Sequence, residues 1–218
     1  MRRYAVVEVF ATLQGEGFHA GTPAVFVRLG GCNLWSGHHE HRERDAERHG
    51  APCPRWCDTS FSSSTHLPLD HLVSMCLAAA PSPPPLVVLT GGEPLLQVDQ
   101  PLLDALHEGF PTIAVETNGT APQRARADWV CVSPKVPIER LELRSGDELK
   151  VVFPAFDPGA YEPLVAHFDH AWVSAQAAVT GVGQSVLHLD NLRRAAAWVQ
   201  AHPRWRLTLQ AHKVIGLP

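Results

Sequence analysis

Cys32-Asn33-Leu34-Trp35 and Cys53-Pro54-Arg55-Trp56-Cys57-Asp58-Thr59, separated by a charged stretch, contain three of the five cysteines of this chain. A closed structural zinc site uses four ligands, so three thiolates leave one coordination position open. The incomplete set indicates either an iron–sulfur centre at which something else binds or a zinc site completed by a histidine. The three cysteines can also be unconnected thiols, because free cysteine behaves as a small buried hydrophobe.

The stretch between the cysteines, residues 36–50, is a charged insert that carries four of the thirteen histidines. These are His38, His39, His41 and His49. One of them would complete a Cys3His zinc site that serves only the fold. The more usual meaning of such a stretch is a solvated excursion, with a short helix near residues 40–48, that contributes no ligand.

The composition describes one globular domain. The chain has 218 residues, of which 45% are hydrophobic and 18% charged, and its net charge of -4 gives no basic surface for nucleic acid. The apolar run at residues 5–11 is interrupted by Glu8 and is too short for a membrane span or a signal peptide. An odd number of cysteines without an export signal is typical of a reducing compartment, so we expect a cytoplasmic protein with no membrane partner.

Strand and helix patterns alternate along the chain. Apolar or β-branched runs predict strands at residues 4–11, 23–29, 86–89, 129–132, 149–153, 171–173 and 205–209, with another beginning at 112. Amphipathic spacing predicts helices at residues 69–80, 100–108 and 192–199. This alternation predicts an α/β fold with a mainly parallel sheet. Cys76 and Cys131 lie on apolar faces and are predicted to be core residues.

Polar residues follow several of the predicted strands, at the edge where α/β folds place their chemistry. Gln14 and Glu16 lie in a glycine-rich turn, and Arg28 ends the second strand. Thr90-Gly91-Gly92-Glu93-Pro94 follows the buried strand at 86–89, and its paired glycines allow close backbone approach to a ligand. Taken singly, each of these features is also compatible with an ordinary turn.

The cysteine triple after an early strand, Trp56 before the last cysteine and the Gly-Gly-Glu-Pro motif together resemble the radical S-adenosylmethionine (SAM) superfamily. In that superfamily three thiolates hold a four-iron four-sulfur cluster, and SAM chelates the fourth iron. The usual spacing there is three residues and then two, whereas twenty and three residues separate these cysteines. A long first gap is compatible with the site, because the entropy of closing a loop rises slowly with its length.

Within the superfamily, the chain resembles the 7-carboxy-7-deazaguanine synthase family of queuosine biosynthesis over nearly its whole length. The motifs that carry this resemblance are 13–17 (Leu-Gln-Gly-Glu-Gly), Asp58-Thr59, 116–119 (Glu-Thr-Asn-Gly), Ser133-Pro134-Lys135 and 210–213 (Gln-Ala-His-Lys). The resemblance implies ring contraction of 6-carboxy-5,6,7,8-tetrahydropterin to 7-carboxy-7-deazaguanine with loss of ammonia. It also implies a 4Fe-4S cluster, SAM used catalytically, Mg2+ and an external electron donor of flavodoxin or ferredoxin type.

The resemblance further implies the role of each matching residue. The cluster would be held by Cys32, Cys53 and Cys57, and Mg2+ by Thr59 with Asp58 holding its waters. The pterin would be bound by Leu13, Gln14, Gly15, Glu16, Arg28, Thr90, His212 and the Pro218 carboxyl terminus. The SAM site would comprise Gly91, Gly92, Glu93, Glu116, Asn118, Ser133, Pro134, Lys135 and Gln176. No further catalytic residue is expected beyond the cluster and SAM.

The number of predicted helices is low for an eight-fold barrel, so we expect a single domain forming a shortened, open (β/α) barrel of radical SAM type. Such a sheet leaves exposed edges, and members of the family are dimeric, so a homodimer is expected. Another small radical SAM enzyme, such as a glycyl-radical activase, would share the cluster and Gly-Gly-Glu-Pro. It would not need Asp58-Thr59 or the set of Gln14, Glu16 and Arg28. A zinc-stapled binding domain is the non-enzymatic alternative.

Overall fold

The computed structural model, which describes residues 2–80, 82, 84–181 and 184–217, is built on one nine-stranded sheet. Its strands are β1 (Arg3–Leu13), β2 (Pro23–Leu29), β3 (Thr65–Pro68), β4 (Leu86–Gly91), β5 (Thr112–Thr117), β6 (Trp129–Val132), β7 (Gly146–Phe153), β8 (Phe168–Ala175) and β11 (Arg206–Thr208). Two further strands, β9 (Ala178–Gly181) and β10 (Gln184–Val186), pair as a separate hairpin.

The strands of the sheet lie in the order β11-β8-β7-β6-β5-β4-β2-β1-β3. Every pairing from β2 to β11 is parallel, whereas β1 is antiparallel to both β2 and β3. The helices are α1 (Arg42–His49), α2 (Leu69–Ala78), α3 (Gln100–His107), α4 (Leu189–Ala201) and α5 (Ala211–Ile215). The predicted α/β class with a mainly parallel sheet is therefore confirmed.

Side chains alternate between the two faces of the sheet. One face is apolar and packs against α2 and α3, as shown by Val25, Val27, Val87 and Leu89, which are fully buried among helix residues. Because successive strand residues point to opposite faces, the intervening positions line the inner face. Polar residues on this face near the strand ends are Arg28, Thr90, Glu116, Lys150 and Ser174.

The charged insert is more ordered than a solvated excursion. Its helix α1 buries Asp45 and Ala46, and the αL conformation of Gly50 ends that helix. The Asp45 carboxylate accepts hydrogen bonds from the Ser36 amide at 2.8 Å and the Ser36 hydroxyl at 2.7 Å. The short helix predicted near residues 40–48 is therefore confirmed as α1, but the inner side of the insert packs against the chain instead of being fully solvated.

Most predicted elements occur with shifted ends, and several elements were missed. The strands predicted at 149–153 and 171–173 extend to Gly146–Phe153 and Phe168–Ala175. The short elements β3, β9, β10 and α5, and a 3-10 segment at Pro158–His167, were not predicted. Among the described residues, no helix is long and apolar enough to cross a membrane.

Candidate active site

A cavity of about 740 Å³ opens on the inner face of the sheet, where the loops that follow β2, β4, β5, β6 and β8 meet. Most of the residues predicted from sequence line it. They are Leu13, Gln14, Glu16, Arg28, Thr90 and His212 from the pterin set, Gly91, Gly92, Glu116, Asn118, Ser133, Lys135 and Gln176 from the SAM set, and Cys32, Cys53, Cys57, Asp58 and Thr59 from the metal sets. Gly15, Glu93 and Pro134 are not among its lining residues, and Pro218 lies outside the described residues.

The three cysteines share this cavity and are mostly buried. Burial raises the pKa of Cys32 to about 11 and that of Cys53 to about 12, and it also raises the pKa of Cys57. The Leu34 amide donates to Cys32 Sγ at 3.4 Å, and Thr59 bonds Cys57 through its amide and its side chain. With protein groups alone these thiols are neutral. A cationic iron centre would supply the charge that makes them thiolates, so the donor set fits such a centre.

The zinc site considered from sequence is not found in the described part of the chain. No group of three or more His, Cys, Asp or Glu side chains there is placed to hold one metal ion. His38 and His39 are exposed, and the ring of His38 lies 5.5 Å from that of His41. A four-iron cluster places each thiolate on a different iron, so its cysteines need only face a common space. All three cysteines do so.

A lysine that sequence reasoning missed joins two of the predicted acids. Lys150 Nζ lies 2.8 Å from Glu16 Oε2 and 2.9 Å from Glu116 Oε2. Burial acts to raise the pKa of Glu16, but Lys150 and the Ser174 hydroxyl outweigh burial and hold that pKa below its usual value. Burial likewise acts to lower the pKa of Lys150, but Glu116 and Glu16 raise it well above the usual value. Glu16 and Lys150 are therefore ionised together, and Glu116 contacts the same ammonium.

Gly91 and Gly92 pack against the chain that leads to Cys32. A side chain at either position would collide with the Leu29 or Gly31 backbone, and Gly91 adopts a φ of 128° that disfavours other residues. The Gly92 and Glu93 amides donate to the carbonyls of Leu29 and Gly31 at 3.1 and 2.8 Å. The two glycines thus join the loop after β4 to the first cysteine.

Glu93 lies behind the cavity wall and is fully buried. Its carboxylate accepts hydrogen bonds from the Thr117 hydroxyl at 2.7 Å, the Asn118 amide at 2.8 Å and the Leu95 amide at 2.9 Å. Burial raises the pKa of Glu93, and these hydrogen bonds oppose the rise. The carboxylate therefore positions Asn118 at the cavity wall, and the membership of Glu93 in the SAM site stays a prediction.

Arg28 and Asp58 already have partners in the chain. Arg28 Nε lies 2.6 Å from Glu8 Oε1. Asp58 Oδ2 accepts from Lys213 Nζ at 2.7 Å and from the Ser185 hydroxyl at 2.6 Å. Burial acts to raise the pKa of Asp58, but Lys213 outweighs it and lowers that pKa. Both residues line the cavity, and Asp58 also links the cysteine loop to β10 and α5.

One signal in the sequence could have revealed the missed Lys150. Lys150 interrupts an apolar strand and alternates with Leu149 and Val151, so it had to face inward and needed an acidic partner. Trp35 and Phe61, which stack edge to face at 5.2 Å, also line the cavity near the cysteines. We find no sequence signal for the contribution of the β9–β10 hairpin through Thr180 and Ser185.

Comparisons with known proteins agree on one family. No family model matches the chain. A protein of Burkholderia multivorans is 41% identical over 99% of both chains, and one of Nitratidesulfovibrio vulgaris is 42% identical over 99% of both; each is named 7-carboxy-7-deazaguanine synthase. Among solved structures, QueE from Escherichia coli is similar with a TM-score of 0.67 and 26% identity, covering 96% of this chain and 95% of its own.

Proposed function

Because the chain belongs to the 7-carboxy-7-deazaguanine synthase family, a family of radical SAM enzymes, we propose that it converts 6-carboxy-5,6,7,8-tetrahydropterin to 7-carboxy-7-deazaguanine. Substrate and product differ by one ammonia, so the reaction needs no net oxidant and SAM is regenerated. The observation that carries the proposal is the single cavity that holds three cysteines, the Gly91-Gly92 turn and the Glu16–Lys150–Glu116 group.

Cys32, Cys53 and Cys57 would hold the 4Fe-4S cluster. When bound, the cluster supplies the electron that cleaves SAM and so starts the hydrogen abstraction. Gly91, Gly92, Ser133 and Lys135 would bind the methionine end of SAM, and Glu116, Asn118 and Gln176 its nucleoside end. Lys135 Nζ is held by the Ser133 carbonyl at 2.9 Å and faces the cavity, so it can pair with the SAM carboxylate.

Glu16 would recognise the aminopyrimidinone edge of the pterin, because a carboxylate accepts two parallel N–H bonds from that guanidine-like edge. Arg28 would pair with the substrate carboxylate by sharing its guanidinium between that group and Glu8. A guanidinium has five donors, so one bond to Glu8 leaves others for the substrate. Thr90 lies opposite Arg28 in the register of β2 and β4, which places both at the same end of the cavity.

Thr59 would offer its hydroxyl oxygen to Mg2+, which prefers oxygen ligands and keeps several waters. The hydroxyl can donate to Cys57 while its lone pairs face the ion. Asp58, held by Lys213 and Ser185, would orient the bound waters. His212, which lies against Gly15, and the Pro218 carboxyl terminus would close the pocket.

The setting of the reaction is also part of the proposal. All five cysteines are free thiols, which is typical of a reducing compartment, so the cytoplasm is the expected location. A flavodoxin or ferredoxin would be the electron donor. The homodimer stays a prediction.

The test is an anaerobic turnover assay with reconstituted protein, SAM, Mg2+, dithionite and the carboxytetrahydropterin. We expect 7-carboxy-7-deazaguanine and ammonia in equal amounts, many turnovers per SAM, and much slower turnover when Mg2+ is omitted. A protein that cleaves SAM but leaves the pterin unchanged would instead match a different radical SAM reaction, such as that of a glycyl-radical activase.

A further inference from the structure

Lys150 lies in the middle of β7 and is almost completely buried, with 4% of its surface exposed. Its neighbours Leu149 and Val151 point into the apolar core, so the lysine points to the inner face of the sheet. A buried ammonium is costly unless it is paired, and this one contacts two carboxylates within 2.9 Å. Those carboxylates belong to the predicted pterin site and the predicted SAM site.

All four oxygens of the two carboxylates are held by protein donors. Lys150 binds Oε2 of both acids, the Ser174 hydroxyl donates to Glu16 Oε1 at 2.7 Å, and the Gln14 side chain donates to Glu116 Oε1 at 2.8 Å. Gln14 also accepts from the Glu16 amide at 3.1 Å. Each carboxylate oxygen has two lone pairs, so one bond apiece fixes its direction and leaves acceptor capacity for a ligand.

Other titratable groups lie near Lys150, Glu16 and Glu116, but none of those described below pairs with both acids as Lys150 does. Glu148 is the next inward residue on β7, and its oxygens accept from Trp129 Nε1 at 2.6 Å and the Phe18 amide at 3.0 Å. Cys131, His212 and Lys135 also lie within electrostatic range. Within the described part of the chain, the side-chain cation in direct contact with both Glu16 and Glu116 is Lys150. Without it, two carboxylates would share a largely buried site with no cation between them, and like charges so placed disfavour one another.

We propose that Lys150 is a positioning residue that keeps Glu16 ionised and, by contacting both carboxylates, holds Glu16 and Glu116 in their observed orientations, so that the pterin site and the SAM site form as one unit. This inference rests on the proposed function, since that function assigns the two acids to the two ligands. Loss of the lysine therefore impairs pterin recognition without any direct contact between lysine and pterin.

The test measures direct binding of 6-carboxypterin, the air-stable oxidised form of the substrate ring, to cluster-free protein between pH 6 and pH 9. We expect Lys150→Met to weaken binding at pH 7 by at least tenfold and to make binding improve as the pH rises, because Glu16 must first lose its proton. The wild-type protein should show only the titration of the pterin itself. Lys150→Arg, which keeps the charge, should restore most of the affinity and the wild-type pH profile.

Two further variants separate charge from structure. Val151→Ala removes buried volume from the same strand on the opposite face, so it should lower thermal stability without changing the pH profile. The double variant Lys150→Met/Glu116→Gln removes the like-charge neighbour along with the cation, and it should return the pH profile of binding toward the wild type. If Lys150→Met alone does not fold, the pH profile of binding in the double variant still tests the effect of removing the Lys150 charge.

Wild-type affinity and pH dependence in Lys150→Met would overturn the inference and leave the proposed function intact. The inference also fails if the double variant is no closer to wild type than the single variant is. If the wild-type protein does not bind 6-carboxypterin, the substrate assignment is wrong and the inference falls with it.

Discussion

Arg42 of the insert holds the cysteine loop, and its replacement should loosen that loop. Its guanidinium donates to the carbonyls of Pro54 and Cys57, the latter at 2.8 Å, and lies 4.7 Å from the centre of the Trp35 ring. One side chain therefore ties α1 to both ends of the segment that carries Cys53 and Cys57. Arg42→Met keeps much of the apolar stem and removes the two hydrogen bonds and the charge.

The structure sets the size of the expected effect. A hydrogen bond from a charged donor contributes roughly 1.5–3 kcal/mol, and a partly buried cation–π contact about 1 kcal/mol. The two carbonyls gain water when the arginine is removed, so the losses do not add in full. We expect Arg42→Met to lower the free energy of unfolding by about 2–3 kcal/mol.

Arg55→Met is the matched control, because it removes the same charge from the cysteine loop that Arg42 contacts. Arg55 pairs with Glu43 at 2.7 Å, but the two side chains are 45% and 71% exposed. Such an exposed pair contributes at most about 1 kcal/mol. The contrast between the two arginines therefore isolates the buried contacts of Arg42 from the general effect of charge.

The assay is urea unfolding of the cluster-free protein followed by tryptophan fluorescence, together with the rate at which a chelator removes iron from the reconstituted protein. Arg42→Met should unfold at lower urea and lose iron faster than both the wild type and Arg55→Met. If the two arginine variants are equally stable and release iron at the wild-type rate, the insert does not support the cysteine loop through Arg42.

The remaining predictions concern the Mg2+ site and the insert. Thr59→Ala should weaken the dependence of turnover on Mg2+ while leaving the iron content unchanged; identical Mg2+ activation curves would remove Thr59 as a ligand. Burial acts to raise the pKa of Asp45, but the hydrogen bonds from Ser36 and Arg44 outweigh it and hold the pKa below its usual value. Asp45→Asn should therefore be less stable than wild type at pH 7, and the gap should close as the pH falls below about 4, where the unfolded carboxyl is protonated. A gap in urea midpoint that is constant from pH 7 to pH 3 would contradict this account of Asp45.

The sequence predicted the fold well where hydrophobic pattern decides it. The run at residues 86–89 and the strand at 129–132 are buried parallel strands as expected, and Cys76 and Cys131 are core residues. The predicted ends of the strands were less accurate, because polar residues such as Glu148 and Ser174 continue strands whose inner face lines a cavity. Short elements such as β3 depend on pairing with a distant strand, which local pattern does not encode.

For the site, the sequence identified residues but not their partners. The motifs that follow the strands predicted which side chains form the site, and most of these side chains line one cavity. The pairing of Arg28 with Glu8 and of Asp58 with Lys213 depends on distances across strands and loops. The burial of Glu93 and the contribution of Lys150 likewise depend on contacts with residues that are distant in the sequence. These contacts determine the charge and the orientation of the site residues, which the sequence motifs alone do not reveal.

Cys32, Cys53 and Cys57 should hold a four-iron cluster despite their unusual spacing, and the proposed function depends on this cluster. This assignment is tested most directly by reconstituting the wild type and Cys57→Ala anaerobically with iron and sulfide and measuring the iron in each chain. We expect a brown wild-type protein with about four irons, bleached by dithionite, and a variant that retains almost none, since two protein thiolates should not hold the cluster. A colourless wild-type protein that binds one zinc, or a variant that keeps the full iron content, would contradict the assignment.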